Sequence, residues 1–521
     1  MATAYMTPGV YIEEQNAFPN SAVAVETAVP VFIGYTEKAE LNHNSLVNKP
    51  TRIVSFAEYL ERFGGAFNPK FTVAKATTPE LQQAATDNPG NAISVPNADP
   101  TQPADVWYID VAQDNTLYLF NSIRLFYANN GGPCYILSLG TYQGKTSMPV
   151  AAADYIGSQD KPVTPFDLLK KEQEPTLVLV PDAIVLGTDA YSSIYTKVLE
   201  HCSDMQSRFG IFDLARQLPT QQTDDVVGAF RTDIGVNSLN YGAAYYPWLN
   251  TGIVQPEEVS LDNLDLGSAN LEELLTEPAA KTVIDKYAKD SADPAITQKD
   301  KLKQSYLLSL KAVSPTYVAI LNKVRIRMNE LPPSGAMAGL YAMVDNSRGV
   351  WKAPANISVN NVVSPSVNIS SEGQQSLNVD VIAGKSINVI RSFPGIGTLV
   401  WGARTLDGNS QDWRYINVRR TLIMIEQSIK LATQAYVFEP NDANTWITVK
   451  SMIDNFLVNL WKQGALAGAV PEQAFSTAIG LGSTMTANDI LDGKMLITVK
   501  VAIVRPAEFI IITFQQQMQQ S

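Results

Sequence analysis

Apolar and polar positions along this chain follow two different periods. In TLYLFNSIRLFYANNGG (116–132), Leu119, Ile123, Phe126 and Tyr127 recur at helical spacing, and Asn-Asn-Gly-Gly supplies a stop. PCYILSL (133–139) is a short apolar run of the kind that forms a buried strand, and TLVLVPD (176–182) is another. SIYTKVLEHCSDMQSRFG (193–210) reads as a helix closed by Gly210, with IFDL as the next strand. Helices alternating with apolar strands predict an α/β middle region.

Residues 391–521 carry a different pattern. RRTLIMIEQSIKLATQAYVFE (419–439) sets Leu422, Ile425, Ile429, Ala432 and Tyr436 on one helical stripe. NTWITVKSMIDNFLVNLWKQG (444–464) does the same with Trp446, Val449, Ile453, Phe456, Leu457 and Leu460, between an Asn444 N-cap and Gly464 just past the end. KMLITVKVAIVRP (494–506) then alternates with period two, so that Met495, Ile497, Val499, Val501 and Ile503 share one face. AEFIIITF (507–514) predicts a second strand beyond Pro506. This part is expected to be α+β and to finish in a strand pair.

Residues 68–105 lack a sustained period, residues 254–300 mix acidic stretches with a later Lys/Asp-rich helical patch, and both are expected as loops or surface insertions. Residues 363–384 read as loops and short strands. No internal repeat is visible.

Composition narrows the function. The 521 residues are 45% hydrophobic and only 17% charged, which permits a large core and about three or four domains. A net charge of −12 argues against nucleic acid or an anionic membrane as partner. Residues 391–521 hold 11 Lys/Arg against 10 Asp/Glu, a net of +1, so the preceding residues carry −13. That asymmetry suits an acidic outside joined to a contact-rich end. The start, MATAYMTPGVYIEE, lacks the features of a secretory signal, and no 18-residue apolar run occurs. Synthesis in the cytoplasm without a signal peptide, and no membrane insertion, are the expectations.

Candidate chemistry is sparse. Two histidines, His43 and His201, rule out mechanisms that need several imidazoles. Cys134 and Cys202 lie far apart with no CxxC, and predict buried free thiols in a reducing compartment. GTYQGKTS (140–147) follows a predicted strand and approaches a phosphate loop, with Asp182 placed to pose as its magnesium-side acid. Its glycines are one residue too close, however, which re-aims the cradle of backbone N–H groups. A polar strand-to-helix loop is the plainer reading. Asp224-Asp225 and Glu257-Glu258 read as solvated pairs, and Asp489 and Asp492 as turn residues. No catalytic, cofactor-binding or metal-ligating residues are assigned.

The chain ends carry the unusual signal. TPGVYIEE (7–14) is extended, with Val10 and Ile12 alternating with Tyr11 and Glu13, and the predicted strands 494–504 and 508–514 lie at the other end. Such strands either complete their own subunit's sheet or pair with a neighbouring copy, which would give a ring or an open helical polymer.

Four stretches carry a family resemblance: TPGVYIEE with VETAVPVFIGYTEKA (25–39), SIRLFYANNGGPCYILSL (122–139), TLVLVPD (176–182), and the most specific, RSFPGIGTLVWGARTLDGNSQDWRYINVRRTLIMIEQSIKLATQAYVFEPNDANTWITVKSMIDNFLVNLWKQGALAG (391–468). The sequence resembles contractile tail sheath proteins of phages, extracellular injection particles and type VI-like systems. It does so over about 1–65, 107–250 and 390–521. The resemblance implies an α/β and α+β multidomain fold: an N-terminal extended arm (1–24), an α/β middle domain (25–253) with a loop insertion near 68–105, a variable outward-facing region (254–390) and a tube-facing C-terminal sheath domain (391–521).

It also implies a homo-oligomer of stacked hexameric rings around an inner tube, with baseplate and terminal cap proteins, and other sheath isoforms, as further partners. Inter-subunit strands would involve Val10, Tyr11, Ile12, Glu13, Met495, Ile497, Val499, Val501, Ile503, Phe509 and Ile511. Contraction from a metastable extended state would derive its free energy from new subunit contacts. Lys450 and Lys462, a little over three turns apart and so roughly on one side of one helix, are the expected cations against an acidic tube surface. A nucleotide-binding enzyme built on 140–147 and a static shell or tube protein are the competing readings.

Overall fold

The computed structural model of the protein describes residues 22–97, 101–111, 116–145, 147–267 and 269–512. Along the chain, β1 (Pro30–Thr36) and β2 (Thr51–Ile53) come first, then β3 (Phe71–Lys75), β4 (Ala92–Val95) and β5 (Asp105–Val111). Helix α1 (Leu119–Ala128), β6 (Cys134–Thr141), β7 (Leu177–Leu179), α2 (Thr188–Met205), β8 (Phe209–Asp213) and β9 (Gly242–Tyr246) follow. After β10 (Leu264–Asp265), four helices succeed one another: α3 (Pro278–Ala292), α4 (Lys299–Val313), α5 (Pro315–Met328) and α6 (Ser334–Arg348). Strands β11 (Ile357–Ser358), β12 (Ile387–Phe393) and β13 (Gly397–Val400) lead to α7 (Ile416–Thr433), α8 (Ala443–Lys462), β14 (Phe475–Ile479) and β15 (Ile497–Val501).

The chain divides into two compact units, Glu26–Arg420 and a terminal unit that joins residues up to Val25 with Thr421 onward. The larger unit is built on a nine-stranded sheet of order β11-β13-β12-β9-β8-β7-β1-β6-β2. Its strands from β12 to β6 pair in parallel, and the strands at both edges are added by antiparallel pairing. Every residue of β1, β8 and β9 is buried. A parallel sheet covered on both faces needs continuous apolar runs, which is why these strands are legible as such. Helix α2 ends earlier than expected, at Gln206 in the left-handed region (φ 52°). Gly210 lies inside β8 instead, where a Cβ would meet the Phe212 ring at 2.5 Å.

The expected insertions are not loops. Residues 68–105 contribute β3 and β4, which join β5 and β10 in a sheet of order β10-β3-β5-β4. Phe71, Val73, Trp107 and Ile109 bury against Leu310, Tyr317, Ile320 and Val324 from α4 and α5. Each half shows only part of an amphipathic pattern, because its partner face lies some two hundred residues away. The expected divisions at 253/254 and 390/391 also fail. The second falls inside β12, which the central sheet recruits by parallel pairing with β9.

In the terminal unit, α8 buries Val449, Met452, Ile453, Phe456, Leu457 and Leu460 along the expected stripe. Its N-cap is Asp442, whose side chain accepts from Asn444 and Thr445 N–H, rather than Asn444. The strand pair is β14 with β15, in the register Phe475–Val501, Thr477–Val499 and Ile479–Ile497. The expected pairing of 494–504 with 507–514 is not formed: β15 pairs with β14, and residues 507–512 form no strand.

Close approach and buried carboxylates hold the larger unit rigid. Gly335 and Gly339, one turn apart on α6, lie against the α1 backbone; a Cβ on Gly339 would meet the Phe126 carbonyl oxygen at 2.5 Å. Asp213, at the end of β8, accepts from Ser334 N–H (2.8 Å) and Oγ (2.5 Å) at the start of α6. Asp182 accepts from the backbone N–H groups of Tyr118 (2.7 Å), Leu119 (2.9 Å) and Tyr35 (3.2 Å). Burial raises both carboxyls, Asp182 to about 6 and Asp213 to about 7, against the pull of their hydrogen bonds.

Two outcomes follow. Gly339→Ala should destabilise the protein by on the order of 1–3 kcal/mol through overpacking, read from the denaturant midpoint; a shift near zero would show that α1 and α6 separate freely. Between its unfolded pKa of about 3.9 and its folded value of about 7, Asp213 holds a proton in the folded chain that the unfolded chain has released. Raising pH through this window therefore lowers stability. Denaturation of Asp213→Asn beside the wild type at pH 5 and pH 8 should show the wild type losing ground to the variant at the higher pH, and parallel pH dependences would contradict the assignment.

Candidate functional site

Chemistry is absent from the places where the sequence came nearest to it. After β6, the N–H groups of Tyr142, Gln143 and Lys145 donate to the carbonyls of Thr36, Glu37 and Tyr142, so they cannot form an inward-facing phosphate cradle. Asp182 is spent on three backbone donors. His201 is buried beside Arg208, whose Nη1 lies 2.6 Å from His201 Nε2. Burial and that cation lower its pKa to about 3, which keeps the ring neutral. Both thiols are buried and free, and burial raises each to about 12, the opposite of a reactive cysteine. His43 occupies the tip of a small hairpin with φ 63°. Asp225 and Asp489 serve capping boxes, and Glu258 pairs with Arg124. Among the described residues, no group of three or more His, Cys, Asp and Glu is placed to hold a metal ion, and no helix is long and apolar enough to cross a membrane.

What the terminal unit does present is an open strand edge. Ala502 N–H donates to Ala474, the Ala502 carbonyl accepts from Ala467, and Val504 N–H donates to Ala465. Backbone groups alternate in direction along a strand, so these bonds fix the even-numbered residues as the ones facing β14. The N–H and C=O groups of Ile497, Val499, Val501 and Ile503 then point to the other side, where no further strand pairs with β15 among the described residues. The side chains of Met495, Ile497, Val499, Val501 and Ile503 are half-buried while those between them are exposed, as the alternation predicts. Beyond them, Phe509 and Ile511 are 70% and 89% exposed, and Ile510 and Ile512 are exposed as well. Val10, Tyr11, Ile12 and Glu13 lie outside the described residues.

The two lysines separate. Lys450 is engaged one turn along α8 by Asp454, whereas Lys462 is exposed in the last turn. Twelve residues amount to about three and a third turns, which sets the two about 120° apart around the axis rather than on one side. The near-neutral count of residues 391–521 has an internal origin too. Five of its cations precede Thr421, and three of them, Arg404, Arg419 and Arg420, are each only 4% exposed. From Thr421 onward six Lys/Arg face eight Asp/Glu, a net of −2. The missed signal was burial: arginines beside aromatic residues were counted as surface.

The family model for the phage tail sheath C-terminal domain matches residues 409–517. The tail sheath protein of Vibrio phage KVP40 is 29% identical over 161 residues, which is 30% of this chain and 24% of that protein, so the match takes in about a quarter of the phage protein's length. Two solved structures are similar along nearly the whole chain. The sheath complex of an extracellular contractile injection system, PVC, in the contracted state is 28% identical, covers 99% of both chains and superposes with a TM-score of 0.59. The helical sheath of the anti-feeding prophage in the contracted state is 28% identical, covers 99% of this chain and 100% of its own, and gives a TM-score of 0.57. Residues 409–517 thus match the phage tail sheath C-terminal domain, and the chain as a whole is similar to the sheath proteins of two contractile injection systems.

Proposed function

We propose that this protein is the structural and mechanical subunit of a contractile sheath in a phage tail or tail-like injection particle. Many copies assemble helically around an inner tube, in contact with a baseplate, and shorten from an extended to a contracted packing. The observation that carries this reading is the free edge of β15, followed by an apolar segment with no fold of its own. An unpaired edge beside exposed Phe509 and Ile511 is an aggregation hazard in a monomer and a joint in a polymer. Strands from neighbouring copies, including the arm around Val10–Glu13, fill such edges and keep the assembly connected while the larger units move as rigid bodies. A head-to-tail contact of this kind propagates into rings or helices. The likeness to two sheaths in the contracted state supports the same reading. Hexameric rings are the arrangement we favour, with exposed Lys462 as one contact to the tube.

Chemical catalysis has no part in this function, and thrust derives from tighter packing of the subunits against one another in the contracted state. The occupied N–H groups of the 140–147 loop support that view over a nucleotide-driven one.

Val499→Pro tests the joint, because it removes an outward N–H without touching the ladder to β14. The variant should keep its fold by circular dichroism yet form no long sheaths by negative-stain electron microscopy; sheaths of wild-type length would sink the proposal. Wild type and Lys145→Ala should both show no measurable ATP or GTP binding by calorimetry, and saturable binding lost on substitution would favour the enzymatic reading instead.

A further inference from the structure

The larger unit begins and ends beside a single buried ion pair. Arg420, its last residue, donates from Nη1 to Asp345 Oδ1 (3.1 Å) and from Nη2 to Asp345 Oδ2 (2.6 Å). Both side chains are only 3% exposed. Thr27, its second residue, donates its hydroxyl to Asp345 Oδ2 (2.6 Å) and receives Arg420 Nη2 on its carbonyl (2.8 Å). The guanidinium lies over Tyr341 (4.6 Å), whose hydroxyl is 2.7 Å from that of Tyr245 on β9. The residue before it, Arg419, lies over Tyr241 (4.2 Å) and Trp413 (4.9 Å), so one turn of α7 is held by two cations.

A buried ion pair is a poor way to gain stability, since desolvation offsets most of the attraction. What it does impose is geometry. A bidentate guanidinium–carboxylate pair fixes both direction and distance, which a lysine cannot reproduce. Here the fixed objects are the two points at which the chain enters and leaves the unit, 393 residues apart.

We infer that Thr27, Asp345 and Arg420 form a staple that locks the two ends of the larger unit to α6 and to each other. In the sheath proposed above, on which its mechanical role rests, tension arriving through the N-terminal arm or through α7 enters the unit at this one point. The central sheet is thereby spared independent pulling at its two ends.

Hydrogen exchange of the full chain tests the coupling. Thr27→Val removes one hydroxyl and leaves both charges paired, so the protein should fold. Amides at 27–29 and, across the staple, at 417–424 should exchange roughly tenfold faster, the scale of a lost charge-assisted hydrogen bond, with β1 and β6 unchanged. Asp345→Asn and Arg420→Lys should loosen both ends more. Unchanged exchange at 417–424 in Thr27→Val overturns the staple, whatever the chain assembles into. Absence of sheaths from the wild-type chain defeats the assembly reading instead. In particles, Arg420→Lys sheaths should fragment on contraction, and contracted sheaths as long as the wild type's would overturn the staple's part in carrying tension.

Discussion

Backbone hydrogen-bonding groups need partners, and the two units of this protein meet that need to different extents. The central sheet of the larger unit ends in antiparallel pairs at both edges, and its interior strands are fully buried. Among the described residues the sheet of the terminal unit has two strands, with a row of N–H and C=O groups along β15 directed away from its partner. A two-stranded sheet is marginal by itself, so its completion by another chain is a source of assembly free energy. The proposed division of labour, a body with a large buried sheet and a joint with an exposed strand edge, rests on that contrast.

The body's buried polar groups serve rigidity. Asp182 gathers backbone N–H groups from β1 and from the start of α1, Asp213 caps α6, and Arg208 donates to three carbonyls and approaches His201. Each is a group whose removal would leave another buried polar atom unpaired, so the arrangement tolerates little deformation. In the sheath proposed above, a subunit that moves as one piece would benefit from such over-determination. Glycines on α6 add to it by letting two helix backbones touch.

Much of the larger unit is legible in the amino-acid pattern. PCYILSL and TLVLVPD are continuous apolar runs because parallel strands are covered on both faces. The stripe of α8 and the alternation of Ile497, Val499 and Val501 are equally plain, whereas α7 buries Ile423, Met424 and Ile425 and leaves Leu422, Ile429 and Ala432 of its expected stripe half-buried. The composite module escapes notice, since Phe71 and Trp107 find their partners on α4 and α5. The helix glycines escape as well, because a Gly-x-x-x-Gly spacing says nothing until a second backbone lies against it. AEFIIITF misleads for a related reason: β-propensity reports that a segment can pair, not with whom.

By itself the sequence determined which segments bury, with what period, and that two histidines and two separated cysteines leave little scope for chemistry. Those properties are local, set by side-chain pattern and composition. Only the tertiary structure decided which side of β15 stays open, that two distant insertions share one core, and that Thr27 and Arg420 meet on Asp345. These are pairings between residues far apart along the chain, and no local pattern encodes a partner's position.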